Sequence, residues 1–237
     1  MLTLATNPIF DAYKQSDYFG KTIFITLLLL SIITWVLFLQ KWFYSRTARH
    51  MGEKIQDTLQ KKRLTPLNID LSSFQLHPFT AIYRTLKQQT IELLQKNKSV
   101  AEEREVVYLS HSDIDLIEAY VVTTISKQSK SLEKNLFILS TIVSLAPFLG
   151  LLGTVWGILL TFSELQYGAT VNANATVMGG LAMALGTTVL GLVVAIPALI
   201  AYNLLKSTHG NFNAEMDNFS NQLLASVEMQ YRKVDVK

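Results

Sequence analysis

The chain has 237 residues, of which 49% are hydrophobic and 16% charged, with no cysteine and a formal net charge of +3. The lack of cysteine excludes disulfides, cysteine-ligated metals and thiolate catalysis. So small a net charge gives no indication of nucleic-acid binding, and the composition is typical of an integral membrane protein with a polar part.

Three segments are apolar and long enough to cross a bilayer, which requires about 20 apolar residues per helix. We predict transmembrane helices at residues 21–41, 136–163 and 178–203. Residues 1–20 form an external N-terminal segment whose aromatic residues are compatible with a helix in the membrane interface. The predicted fold class is therefore all-α, an integral membrane protein with three transmembrane helices, two of them extended into the cytoplasm.

The basic residues predict the orientation of these helices. Lys41 and Arg46 follow the first helix, Lys134 precedes the second, and the segment after the second helix contains no lysine or arginine. Because cytoplasmic loops are enriched in basic residues, we expect the N-terminus outside and the C-terminus in the cytoplasm. The remaining parts are then a cytoplasmic helical loop, an external loop and a cytoplasmic C-terminal helix, at residues 42–135, 164–177 and 204–237.

The cytoplasmic loop is predicted to be mostly helical. Arg46–Arg63 continues the first transmembrane helix, Leu64–Pro78 is irregular, and Phe79–Asn97 is helical. Ser99, followed three residues later by a glutamate, predicts the start of a further helix. Because neither proline nor glycine occurs between Ser99 and Pro147, we expect one long helix from about residue 100 to 162. Three acidic residues on it are interpreted as a solvated face: Asp113, Asp115 and Glu118.

The C-terminal helix carries an apolar stripe on an otherwise polar sequence. Its members recur at steps of three and four residues and are Phe212, Met216, Phe219, Leu223 and Val227. Such a stripe requires a partner surface. The tail packs either on the cytoplasmic loop of its own chain or around a ring of copies, and the sequence does not separate these alternatives.

Small and hydroxyl residues form a stripe in each of the last two transmembrane helices. The first stripe consists of Gly150, Thr154, Gly157 and Thr161, with Gly153 forming a GxxxG pair with Gly157. The second stripe consists of Gly180, Ala184, Thr188, Gly191 and Ala195. Faces of this kind pack closely against other helices or line a hydrated path, and both alternatives stay open here. Pro147 and Pro197 are expected to kink their helices.

Specific strings in these two helices resemble the TolQ/ExbB family of inner-membrane motor subunits, which are more distantly similar to MotA. The strings are Gly-Leu-Leu-Gly-Thr-Val-Trp-Gly at 150–157, Gly-Leu-Ala at 180–182, Ala-Leu at 184–185, and Gly-Leu-Val-Val-Ala-Ile-Pro-Ala at 191–198, followed by Tyr202 and Asn203. The resemblance implies a bacterial inner-membrane protein with a periplasmic N-terminus.

The resemblance also implies an assembly and a role. It implies a homopentamer in membrane lipid around a pair of TolR/ExbD-like single-span partners that carry an aspartate. Protons would move through this assembly and energise the cell envelope through a TolA/TonB-like protein. The threonines of the family's pore correspond to Thr154 and Thr188, and Thr187 and Thr161 are further pore-lining candidates.

One departure from the family concerns the proton path. Family members usually carry a glutamate at the position of Met183, which cannot titrate. No ionisable residue remains within either helix, so a proton-carrying carboxylate would come from the partner. Glu164, at the external end, is a candidate entry group, and its simpler interpretation is a solvated loop carboxylate.

Three functions compete on these observations. The first is a proton-driven motor subunit, the second a passive scaffold that anchors an envelope complex, and the third an enzyme acting through the cytoplasmic loop. No metal site, cofactor, nucleophile triad or phosphate loop is predicted, so we expect no enzyme and no cofactor. The short external N-terminus slightly favours TolQ-like envelope maintenance over ExbB-like energising of uptake, and one sequence does not identify the cargo.

Overall fold

The computed structural model describes residues 8–61, 67, 77–100, 108–166 and 173–232, and the fold within these ranges is all-α, as predicted. Its helices are α1 (Pro8–Gln15), α2 (Tyr18–Lys61), α3 (Pro78–Val100), α4 (His111–Glu133), α5 (Leu136–Gln166) and α6 (Ala173–Tyr231). The irregular segment predicted over Leu64–Pro78 lies almost entirely outside the described residues. The predicted helices over Arg46–Arg63 and Phe79–Asn97 correspond to the end of α2 and to α3.

Three stretches are helical, long and apolar enough to cross a membrane, as predicted. They lie within Tyr18–Phe43, His111–Gln166 and Val177–Tyr231. The chain divides into two compact units, which we call the membrane unit (Met1–Lys41 and Asn135–Leu205) and the polar unit (Trp42–Lys134 and Lys206–Lys237). The division follows composition, because the apolar segments of the sequence fall in the first unit and most charged residues in the second.

The membrane unit buries small and aliphatic side chains where α2, α5 and α6 meet. Ile23 and Leu27 of α2 pack in one cluster with Ile142 and Ala146 of α5 and with Ala198 of α6. Its outward-facing residues are apolar as well, and the most exposed include Phe137, Phe148, Leu159, Leu185 and Ile196. An apolar exterior around a core rich in small residues is typical of helices that pack in lipid, where large aliphatic side chains face outward.

The polar unit has a core of stacked aromatic rings. The ring of Phe79 on α3 lies nearly parallel to those of Phe212 and Phe219 on α6, with centroids 5.4 Å and 4.9 Å away. All five members of the tail stripe are at most 4% exposed, in one cluster with α3 and α4 residues. The tail therefore packs on the loop helices of its own chain, which is the first of the two alternatives.

The predicted continuous helix from about residue 100 to 162 is wrong, because it is interrupted between α4 and α5. Helix α4 ends at Glu133, and Asn135 has a φ of 76°, in the left-handed region. Asparagine adopts this conformation more readily than most residues, since its short side chain tolerates the crowding there. The chain can therefore leave one helix and begin the next without a glycine or a proline.

The predicted helix start at Ser99 is also wrong. Ser99 lies in the last turn of α3, where its hydroxyl donates to the carbonyl of Lys96 at 2.7 Å. The N-cap of α4 is Ser110, whose hydroxyl accepts from the amide of Asp113 at 3.2 Å. The Asp113 carboxylate accepts in return from the Ser110 amide at 2.9 Å, which completes a capping box.

Asp113 is therefore a capping residue and not part of a solvated face. Burial alone would raise the pKa of its carboxyl, but hydrogen bonds from Ser110 and Asn97 and the charge of Lys96 outweigh it, so this pKa lies below the ordinary value of 3.8. The amide group of Asn97 donates to this carboxylate at 3.0 Å and ties the end of α3 to the start of α4.

Candidate functional site

The two stripes of small residues face each other across the α5–α6 interface inside one chain. A Cβ added to Gly150 would lie 3.0 Å from the carbonyl oxygen of Thr187, and one added to Gly157 would lie 2.6 Å from that of Gly180. A Cβ on Gly191 would lie 2.8 Å from the carbonyl oxygen of Ala146. Because only hydrogen atoms fit between these backbones, the glycines allow the two helices to approach more closely than any larger residue would.

Gly153 and two further members of the stripes, Ala184 and Thr161, extend this interface. Gly153 faces the side chain of Thr187, whose Cβ would lie 2.5 Å from a Cβ at position 153. Ala184 faces Gly157, and Thr161 faces Gly180. Ala195, the last residue of the second stripe, packs instead in the cluster that also contains Ile23 and Leu27 of α2.

Two threonines of α6 bond to the backbone of α5 at one point. The Thr188 hydroxyl donates to the carbonyl oxygen of Gly150 at 3.2 Å, and the Thr187 hydroxyl lies 3.5 Å from the same atom. Thr187 is fully buried and also reaches the carbonyls of Met183 and Ala184, each at 3.0 Å. Thr188 is only half-buried, so its hydroxyl oxygen keeps acceptor capacity towards a water or a partner group.

The two threonines of α5 bond within their own helix. The hydroxyl of Thr161 donates to the carbonyl of Gly157 at 2.9 Å, and this side chain is buried in the interface. The hydroxyl of Thr154 donates to the carbonyl of Leu151 at 2.6 Å, and this side chain is half-buried. Of the four predicted pore-lining threonines, Thr154 and Thr188 therefore retain exposed surface and Thr161 and Thr187 almost none.

Both prolines lie inside helices without ending them. Pro147 lies in α5 and Pro197 in α6. Because proline has no amide hydrogen, the carbonyls one turn earlier, those of Val143 and Val193, lose their helical donor. Ala146, which precedes Pro147, faces Gly191 across the α5–α6 interface.

Met183 lies at the edge of the α5–α6 interface, in a cluster that Trp156 and Leu160 of α5 also join. It is fully buried and packs in a cluster with Ala12 of α1 and Phe24 of α2. The carboxylate of Glu164 lies near the end of α5, on an exposed residue. The interface itself therefore consists of backbone carbonyls, hydroxyls and hydrogen atoms, which can orient water or a protonated partner group but cannot themselves take up a proton at neutral pH.

Sequence reasoning missed one polar contact in this unit. The carboxylate of Asp17, in the turn between α1 and α2, accepts a hydrogen bond from the indole of Trp156 on α5 at 3.0 Å. An aspartate at the start of an apolar helix is a recognisable N-cap. No periodicity, however, connects it with a tryptophan 139 residues away, so only the tertiary fold reveals the pair.

Known proteins match the part of the chain that contains this interface. Residues 78–218, which include α3, α4, α5 and most of α6, match the MotA/TolQ/ExbB proton channel family. The chain belongs to this family. Membership and the three apolar helices together make it an integral membrane protein, and both helices of the α5–α6 interface lie within the part that the family shares.

Individual relatives within the MotA/TolQ/ExbB family carry the name biopolymer transport protein ExbB. The protein from Pseudomonas putida is 29% identical over 216 residues, which cover 91% of this chain and 62% of that relative. The protein from Salmonella typhimurium is 28% identical over 232 residues, covering 96% and 88%. The protein from Aquifex aeolicus is 54% identical over 76 residues, covering 32% and 51%.

Proposed function

We propose that this protein is the proton-channel or stator subunit of a motor in the bacterial inner membrane, driven by the proton-motive force. The single observation that carries the proposal is the α5–α6 interface, which lies within the match to the proton channel family and presents the half-buried hydroxyls of Thr154 and Thr188. The proposal includes a homopentamer, with the N-terminus in the periplasm and the C-terminus in the cytoplasm.

The chemistry of the interface supports a division of labour with a partner. Between residues 136 and 205 the sole acidic or basic side chain is that of Glu164, which is exposed near the end of α5. A proton crossing an apolar region needs either a titrating group or a chain of oriented waters. We therefore assign the titrating carboxylate to a TolR/ExbD-like single-span partner, and the orientation of water beside it to Thr154 and Thr188.

The service that the motor performs is proposed from the relatives. The relatives described above are named ExbB, which favours ExbB-like energising of uptake through a TonB-like protein. The alternative is TolQ-like service through a TolA-like protein. We accordingly propose that the motor energises the uptake of compounds such as iron complexes across the outer membrane.

A passive scaffold is the second candidate, and Met183 favours it, because a buried thioether replaces a group that could titrate. The two candidates differ in their response to the proton gradient.

In intact cells, a photo-crosslinker in the periplasmic part of the single-span partner reports its conformational cycle. We expect a protonophore to change the crosslinks to those of one fixed conformation and to stop uptake. Both effects should reverse when the protonophore is removed. A scaffold would give the same pattern with and without the gradient.

A further inference from the structure

The turn between α1 and α2 holds a carboxylate that bonds to two elements at once. One oxygen of Asp17 accepts from the amide of Gly20 at 2.9 Å and caps the start of α2. The other oxygen accepts from the indole nitrogen of Trp156, in the middle of the Gly-Leu-Leu-Gly-Thr-Val-Trp-Gly string of α5. Each oxygen of this carboxylate therefore has its own donor.

The residues around this hydrogen bond leave little room for movement. The ring of Phe19 lies 4.6 Å from that of Trp156, measured between centroids. A Cβ on Gly20 would lie 3.0 Å from a carboxylate oxygen of Asp17 and 2.6 Å from the sulfur of Met183 on α6. Asp17 thus contacts Trp156 of α5, and Gly20 in the first turn of α2 lies beside Met183 of α6.

Both contacts adjoin the α5–α6 interface. Trp156 precedes Gly157, whose backbone meets that of Gly180, and Met183 precedes Ala184, which packs on Gly157. Thr154 lies two residues before Trp156 on the same helix. Asp17 and Gly20 therefore lie beside the Gly157–Gly180 end of the α5–α6 interface.

We propose that Asp17 is a positioning residue for the α5–α6 interface: by holding the Trp156 indole, it fixes the rotation of α5 and hence the direction of the Thr154 hydroxyl. The effect of Asp17 on activity rests on the proposed function above, whereas its effect on the position of Trp156 does not. A carboxylate suits the task because an ionised acceptor makes a stronger hydrogen bond than a neutral one, and more so where water is scarce. Asp17 then contributes to the activity of the motor by positioning α5.

Two substitutions separate this role from a general packing role. Asp17→Asn keeps one acceptor oxygen, so it can satisfy the Gly20 amide or the Trp156 indole but not both. Trp156→Phe removes the donor and keeps an aromatic ring beside Phe19. Asp11→Asn is the matched control, since it removes the same charge from α1 without touching Trp156.

The first readout is the indole resonance of Trp156 in protein labelled with ¹⁵N-tryptophan and held in detergent micelles. Trp156→Phe identifies this resonance by its disappearance, and Trp35 and Trp42 serve as internal references. In Asp17→Asn we expect the Trp156 indole proton to move upfield and to exchange faster with deuterated water, while both references and Asp11→Asn stay unchanged. An unmoved Trp156 resonance in a folded Asp17→Asn protein overturns the inference.

The second readout is uptake of an iron complex by cells that carry each variant as their sole copy. Losing a charge-assisted hydrogen bond corresponds to about a tenfold effect or more, and we expect uptake to fall by that order in either single variant. The double variant should be no worse than the worse single one, because both remove the same bond. If Asp17→Asn does not accumulate, Trp156→Phe decides alone, and normal uptake in it overturns the proposal.

The two readouts also separate this inference from the proposed function. The indole resonance depends on the hydrogen bond alone and responds whether or not the protein conducts protons. If the resonance shifts and uptake is insensitive to a protonophore, the proposed motor function is contradicted and the Asp17–Trp156 contact is supported. If the resonance does not shift and uptake is sensitive to a protonophore, the positioning role of Asp17 is contradicted and the proposed motor function is supported.

Discussion

Replacing Gly157 with leucine is expected to disturb the packing of α5 on α6 and to lower the yield of folded protein. A single added carbon would already lie 2.6 Å from the backbone carbonyl of Gly180, and a backbone atom cannot rotate away as a side chain can. Inserting extra methylenes into a packed core costs about 1–3 kcal/mol and occasionally more. The ratio of folded to unfolded protein should therefore fall by about tenfold to hundredfold.

The measurement is the amount of monodisperse protein after extraction in mild detergent, together with its resistance to limited proteolysis. Gly210→Leu is the matched control, because a Cβ at Gly210 has no atom within 4 Å and the residue lies on the exposed surface of the same helix. We expect the control to accumulate and to resist proteolysis like the parent. Equal yields of the Gly157→Leu and Gly210→Leu variants would show that the close approach of the two helices is not required.

Replacing Thr188 with valine is expected to leave assembly intact and to reduce energised uptake to background. Valine has nearly the same shape, and an interhelical hydrogen bond of a membrane protein contributes on average only about 0.6 kcal/mol, so the loss of the bond to Gly150 should be tolerated. The Thr188 hydroxyl nevertheless combines a contact to α5 with exposed surface. Without it, the hydroxyl that we assign to orienting water beside the carboxylate of a partner is lost.

Two variants make this prediction specific. Thr188→Ser restores the hydroxyl and should recover most of the uptake. Thr141→Val removes an exposed hydroxyl of α5 that bonds only to the carbonyl of Phe137 in its own helix, and should have no effect. Thr154→Val is expected to behave like Thr188→Val. Full uptake in Thr188→Val and Thr154→Val together would contradict the role given to these hydroxyls.

The sequence predicted the helical architecture because its signals are local and strong. Uninterrupted apolar runs identify the three membrane-crossing helices, and steps of three and four residues put Gly150 and Gly157 on one face of α5. The same periodicity identified the tail stripe around Phe219. Which surface covers such a stripe is decided by tertiary packing, so the choice between its own chain and a neighbouring copy needed the structure.

The errors and omissions arose where one residue overrides a pattern. Asn135 interrupts a helix that the apolar periodicity would continue, and it does so through a backbone conformation that few residues adopt. Ser99 and Ser110 are both acceptable N-caps in sequence, but Ser99 lies inside the last turn of α3, whereas Ser110 begins α4 with a capping box completed by Asp113. The contact between Asp17 and Trp156 joins distant parts of the chain and leaves no local signal.

The most direct test of the motor is the stoichiometry of its assembly. The full-length protein is purified in mild detergent with and without a TolR/ExbD-like single-span protein from the same organism, and both samples are weighed by native mass spectrometry. We predict a pentamer that captures two copies of the single-span protein. A monomer or dimer that ignores the single-span protein would contradict the proposed motor and favour the scaffold.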